Sequence, residues 1–334
     1  MRFLLTILIV AVSLFACRKE KPLPETANAG SGEVLVLNEG NFMWANASLD
    51  LYNLDSGILR SGIYEGVNQK PLGDVLQSGS FINGDVWLVV NNSGKIVVLD
   101  SQTLKEKYSI TGLGSPRYAV KAGNNIWITD LYSGKIQIRD ATGKQLIKQI
   151  HTGAWSEQMV VSGKNVWVAC YDGWLRKYDA GTFVIIDSSY VGKGLRWIVS
   201  DKQNNIWALA SFNDSGYSRL QQWSAVGNKM RSFTMPLSGY ASSLCINSGK
   251  DTLYYLANGV YSLSVYDSQL PVKPIFTKSG ANFYNIAHHP RRQLLFLCDA
   301  ADYVSKGKVF VLDPSGNEKK VFTAGIIPSG FVFY

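Results

Sequence analysis

The residues of this chain best equipped for chemistry recur at a set distance ahead of a repeated hydrophobic signal. Gln77, Arg117 and Glu157 each stand nine residues before Val86, Ile126 and Val166; Arg196 and Tyr284 stand ten before Ile206 and Leu294. An amide, two guanidinium groups, a carboxylate and a phenol at equivalent places in successive repeats offer charge and hydrogen bonds to something held between them. Aromatic residues gather in the loops around the same places, namely Phe42, Trp44, Tyr132, Trp155, Tyr171, Trp174, Tyr217, Tyr240, Phe283 and Tyr303. Rings beside arginines suit a large, flat, partly polar ligand or a protein surface. These ten aromatics, with Arg117, Glu157 and Arg196, form the candidate ligand-binding set. The competing structural account, packing between repeats, applies most strongly to Tyr118 and Trp197, and Arg117 and Arg196 could serve only to pair with Glu157.

Enzymatic chemistry is thinly supplied. Of three histidines, His151 ends an outer strand, and His288-His289 precede Pro290 in a turn on the face away from the candidate set. A Ser/His/Asp triad or a histidine metal cage needs histidine near its partners. Only Glu39 and Glu157 offer carboxylates near the candidate set, which is weak support for a glycosidase pair. No CxxC spacing occurs, and Cys170, Cys245 and Cys298 read as buried free thiols. No catalytic residue, metal or cofactor is therefore expected. The formal charge is +8, but charged residues make up only 17% and are scattered. That distribution argues against nucleic acid as a partner.

The elements that position these residues are read from Ile126 to Asp140. Ile126-Trp127-Ile128-Thr129 is a half-buried strand signal, Ser133-Gly134-Lys135 turns the chain, and Ile136-Gln137-Ile138-Arg139-Asp140 returns it. The hairpin recurs from Val86, Val166 and Ile206, so that four starts are separated by 40, 40 and 40 residues, each with Trp second. Weaker copies begin at Val34, Leu253 and Leu294. A period near 40 with about four short strands per unit predicts an all-β, seven-bladed β-propeller with no helix. Blade one lacks an innermost strand upstream of Val34, and Gly330 to Tyr334 resembles the innermost strands elsewhere. The C-terminal strand should therefore complete the N-terminal blade and close the ring. Asp100, Asp140, Asp179, Asp267 and Asp313, which end third strands, are expected to cap their own turns rather than bind metal.

Residues 1–16 read as a signal peptide: Arg2, then a nearly continuous apolar stretch from Phe3 to Phe15, too short to span a bilayer of about 20 helical residues. Leu14-Phe15-Ala16-Cys17 resembles a bacterial lipobox, which implies lipidation at Cys17. Residues 17–32 then form the lipidated cysteine and its tether, and 33–334 the propeller. The membrane is expected to hold the chain through this lipid anchor only.

Several motifs together resemble a known family. Asn38-Glu39-Gly40-Asn41-Phe42, Ser115-Pro116-Arg117-Tyr118, Ser156-Glu157-Gln158-Met159 and Gly325-Ile326-Ile327-Pro328-Ser329-Gly330-Phe331 are similar to those of YncE-like seven-bladed propeller surface lipoproteins. Among these are the BtuG-type corrinoid-binding proteins. The resemblance implies a non-enzymatic protein lipid-anchored at the outer membrane and exposed at the cell surface. It would capture cobalamin or a similar large nutrient for a TonB-dependent transporter, with Arg117, Glu157 and Phe42 on the ligand face. The alternatives are a propeller enzyme of the lyase or lactonase type, or an interaction scaffold without a small ligand. On the ligand-binding reading, Arg117→Ala weakens binding and leaves the melting temperature nearly unchanged.

Overall fold

The computed structural model describes residues 32–212, 216–235 and 240–334. Cys17, the signal peptide and most of the tether lie outside them, as do three residues of the 211–217 loop. The described residues form seven antiparallel sheets set around one axis, the expected all-β seven-bladed propeller. Blade three shows the pattern: Pro116–Ala122 innermost, then Asn125–Asp130, Lys135–Arg139 and Leu146–His151 outermost. Each innermost strand runs beside the next around the axis.

The repeated tryptophan is what separates one blade from the next. Trp87, Trp127, Trp167 and Trp207 are all fully buried. Each shares a core cluster with residues of the following blade: Trp87 with Ala119 and Ile126, Trp127 with Met159 and Val166, Trp167 with Leu195 and Ile198, Trp207 with Leu244 and Leu253. A strand clasped this way has no solvent face. Ile126 to Asp130 is buried at every position, so the half-buried reading of that stretch is corrected to burial on both faces.

Closure occurs as expected. Pro328–Phe333 pairs antiparallel with Glu33–Asn38 and completes blade one, with Ser48–Asn53 and Leu59–Arg60 outside it. On its flanks it meets the innermost strands of blades two and seven. The Asx-turn account also stands for four of its five aspartates. Asp100 and Asp179, for example, accept hydrogen bonds from backbone N–H groups two and three residues on. Asp267 differs, since its Oδ2 accepts from the preceding Ser264 N–H at 3.0 Å.

Two features depart from the sequence reading. A short helix, Ile63–Asn68, links blades one and two. It buries Ile63 and Tyr64, and the Tyr64 hydroxyl donates to Glu106 Oε2 at 2.5 Å. One turn and a half of helix carries too little periodicity to show in sequence. Blade six has three strands, Ser243–Ile246, Thr252–Leu256 and Val260–Ser264, with a single bridge from Val260 to Phe276 where a fourth would lie.

Candidate functional site

The innermost strands enter the ring at the axial mouth, and six of them are irregular at that end. Their register shifts at Gln77, at Arg117 and Tyr118, at Glu157 and Gln158, at Arg196, at Tyr284 and at Ser329. A β-bulge places an extra residue in one strand and re-aims its side chain. Here it turns the polar ring of the sequence repeat toward the axis. Blade six, whose innermost strand pairs regularly, contributes no counterpart.

Inside the mouth is a cavity of about 840 Å³, lined at its entrance by Glu39, Gln77, Arg117, Arg196, Tyr240 and Tyr303. Arg117 is its best-anchored cation. Its Nε donates to Glu157 Oε2 at 2.8 Å, its Nη2 to Glu157 Oε1 at 3.4 Å, and its Nη1 to Gln77. Three consecutive blades thus meet through one guanidinium. Burial is the largest influence and works against that charge, but Glu157, Tyr118 and Glu39 together outweigh it and hold the Arg117 pKa above its ordinary value. The Glu157 side chain is 1% exposed and that of Arg117 14%. This geometry corrects the expectation that Arg117→Ala spares stability, because the substitution strands a buried carboxylate. Arg196 lies 3.7 Å from Glu157 through its Nε, too far for a hydrogen bond, and stacks its guanidinium 4.9 Å from the Tyr171 ring centroid. Its side chain is 39% exposed, so it offers charge to the cavity.

The aromatic candidates divide into groups. Tyr132, Trp155 and Tyr171 form a chain of ring contacts, with centroids 5.7 and 5.4 Å apart, that ends on Arg196; Arg196 lines the cavity and the three rings do not. Tyr303 stands edge-on to Tyr284 at 6.1 Å, and Tyr240 edge-on to Phe212 at 4.8 Å, both at the cavity entrance. Phe283 lines the cavity but packs with Phe276 and Phe310, which makes it chiefly a core residue. Trp174 rests on Tyr190 outside the cavity, and Tyr217 is half-buried outside it. Phe42 and Trp44 also stand outside it, 62% and 75% exposed on a braced loop. There the Asn41 N–H donates to Asn46 Oδ1 at 2.7 Å, and Asn41 Nδ2 donates to the Tyr303 carbonyl at 2.8 Å.

Glu39 was absent from the candidate ligand-binding set. It follows the second strand of blade one, and its N–H donates to the Ile327 carbonyl at 2.9 Å. Beside it, the Gly325 N–H donates to Asn38 Oδ1 at 3.0 Å. Two of the quoted motifs, far apart in sequence, therefore build one seat. Gly40 must be glycine there: its φ is +74° and a Cβ would fall 2.7 Å from the Ala47 nitrogen. Tyr284 donates to the Glu39 carboxyl, at 3.2 and 3.1 Å from its two oxygens. Burial raises the Glu39 pKa to about 7, against the smaller lowering effects of Arg117 and Tyr284. The signal available in sequence was its place at the top of a second strand, on the mouth face.

Among the described residues no three His, Cys, Asp or Glu side chains are grouped to hold a metal ion, and no helix is long and apolar enough to cross a membrane. Cys170, Cys245 and Cys298 are free thiols; Cys170 and Cys298 are buried, while Cys245 is half-buried and lines the cavity.

The chain belongs to the family described as a domain of unknown function, DUF5074, which it matches over residues 32–318. Its fold is similar to that of a quinoprotein alcohol dehydrogenase-like protein from Bacteroides thetaiotaomicron. The TM-score is 0.73 over 91% of this chain and 78% of that one, at 14% identity. It is also similar to BamB from Moraxella catarrhalis, with a TM-score of 0.57 over 90% and 85% of the two chains, at 15% identity. At such identities the likeness is one of fold. A tRNA (guanine-N(1)-)-methyltransferase of Koribacter versatilis is 31% identical over 91 residues, 27% of this chain. The chain spans about a third, 34%, of that relative's length.

Proposed function

We propose that this propeller captures a ligand at its axial mouth without turning it over, and that the ligand is a corrinoid such as cobalamin or a nutrient of similar size and shape. On this reading a lipid on Cys17 holds the chain at the outer membrane, on the cell surface, and a TonB-dependent transporter receives the ligand. One observation carries the reading: a cavity of about 840 Å³ lined by a guanidinium already fixed by Glu157 and Gln77. Ligand pockets span roughly 300–1,000 Å³ and combine a few fixed polar groups with apolar walls. Preorganised donors bind without the ordering cost that loose side chains incur. The Tyr132, Trp155 and Tyr171 rings stand outside the cavity and adjoin it through Arg196.

Titration of the purified chain with cobalamin by calorimetry tests the proposal. Saturable heat at micromolar ligand supports it, and no heat at that concentration overturns it. An interaction role is favoured by a separate observation, the exposure of Phe42, Met43 and Trp44 side by side on the braced loop. Pull-down with Trp44→Ser separates the two, since ligand capture should survive that change and protein association should not. A lyase or lactonase would reveal itself by a stoichiometric divalent cation in metal analysis.

A further inference from the structure

The mouth contains one acidic group that the ion pairs do not use. Glu39 lines the cavity beside Arg117, yet the Arg117 donors are directed to Glu157 and Gln77. The Arg117 donors are thus committed elsewhere, and its charge lowers the Glu39 pKa by less than burial raises it. Tyr284 Oη is nearly equidistant from the two Glu39 oxygens and has one hydrogen to donate. One oxygen is therefore left to the cavity. The remaining titratable groups near Glu39 are Tyr118 and Cys298, both kept protonated by burial, and Tyr303, which stands against Tyr284. None of them brings a second positive charge.

Resting on the capture reading, we infer that Glu39 is a ligand-contacting residue that offers a hydrogen, not a negative charge, to an acceptor oxygen of the bound molecule, so that capture takes up a proton. The class of group it selects is an amide carbonyl or an anionic oxygen; a cationic group would favour the ionised carboxylate and reverse the effect. A molecule seated over the mouth removes the water that solvates an ionised Glu39. An unpaired carboxylate under that cover costs far more than a neutral carboxyl that donates a hydrogen bond. The free group titrates at about 7, so the ionised form must collect a proton as the ligand closes over it. Affinity is then level below that point and falls as pH rises through it, about ten-fold for each unit by which the complex raises the value.

The test is calorimetric titration of the full chain with cyanocobalamin at pH 6.0 and 8.5, repeated in two buffers of different ionisation heat at pH 7.5. The expected result is an affinity about ten-fold lower at pH 8.5 and a heat that differs between buffers by about half a proton's ionisation. Glu39→Gln keeps a neutral polar group, so its affinity should be the same at both pH values and its heat independent of buffer. Equal affinity of the unaltered protein at both pH values overturns the Glu39 assignment while leaving ligand capture standing, as does an unchanged pH slope in Glu39→Gln. Absence of binding at either pH overturns the capture reading and this inference with it.

Discussion

Replacing Arg117 by methionine tests whether the mouth is held together by a desolvated ion pair. The substitution keeps most of the side-chain volume and removes the charge. What remains is the Glu157 carboxylate, 1% exposed, with Arg196 Nε 3.7 Å away as its nearest cation. Removing one member of a buried pair typically costs about 3–5 kcal/mol, because the partner stays buried without compensation. At about 2 °C per kcal/mol for a domain of this size, the melting temperature should fall by about 6–10 °C. Removing both members, Arg117→Met with Glu157→Leu, should regain most of that loss, since apolar groups of similar volume often replace a buried pair at no net cost. Urea unfolding of the parent, both single variants and the double variant, at constant m, gives the coupling energy directly. It should favour the pair by no less than the loss that the double variant regains. If Arg117→Met costs less than about 1 kcal/mol, or the two changes simply add, the pair is not desolvated and its account as an anchor of three blades is wrong.

Other consequences are equally open to measurement. Deleting residues 330–334 removes most of the strand that completes blade one, and it should lower the unfolding temperature of the whole ring in one transition rather than fray one blade. A separate, early-melting phase would contradict that. Gly79→Ala should destabilise by about 1–3 kcal/mol, because the new Cβ would lie 2.5 Å from Val332 Cγ2 on the stiff side chain of the closing strand. Val332→Ala in the same chain should recover part of that loss, whereas strict additivity would show that the two strands do not press on each other. Glu39 has a pKa of about 7 in the folded state, above the roughly 4.3 of an unfolded chain. Its contribution is therefore fully present below about pH 4 and is lost as pH rises through 7. Glu39→Gln lacks this loss, so thermal melts should place it above the parent at pH 8, with the gap closing by pH 4.5.

The parts of this protein legible in its sequence are those encoded within one repeat. Trp second in the second strand, an aspartate ending the third and a spacing of 40 residues are local patterns, and the four blades that begin their hairpins at Val86, Ile126, Val166 and Ile206 share the Trp and the spacing. The closing strand was legible too, because Gly330 to Tyr334 carries an innermost-strand pattern without a hairpin to follow it. The short helix at Ile63–Asn68 and the truncated blade six were not, since neither carries enough periodicity to stand apart from loop.

The candidate site depended on contacts between repeats. Sequence spacing brought Gln77, Arg117 and Glu157 to equivalent positions, but only the bulges turned them to the axis, and only the ring put each within reach of the next. Glu39 and Tyr284 lie 245 residues apart and meet because the ring closes. Alternation and turn residues act between near neighbours, so they survive in a linear reading. Ion pairing, burial and the proton affinity of a carboxyl depend on which side chains from other blades surround it, and that is settled only when the seven sheets pack around one axis.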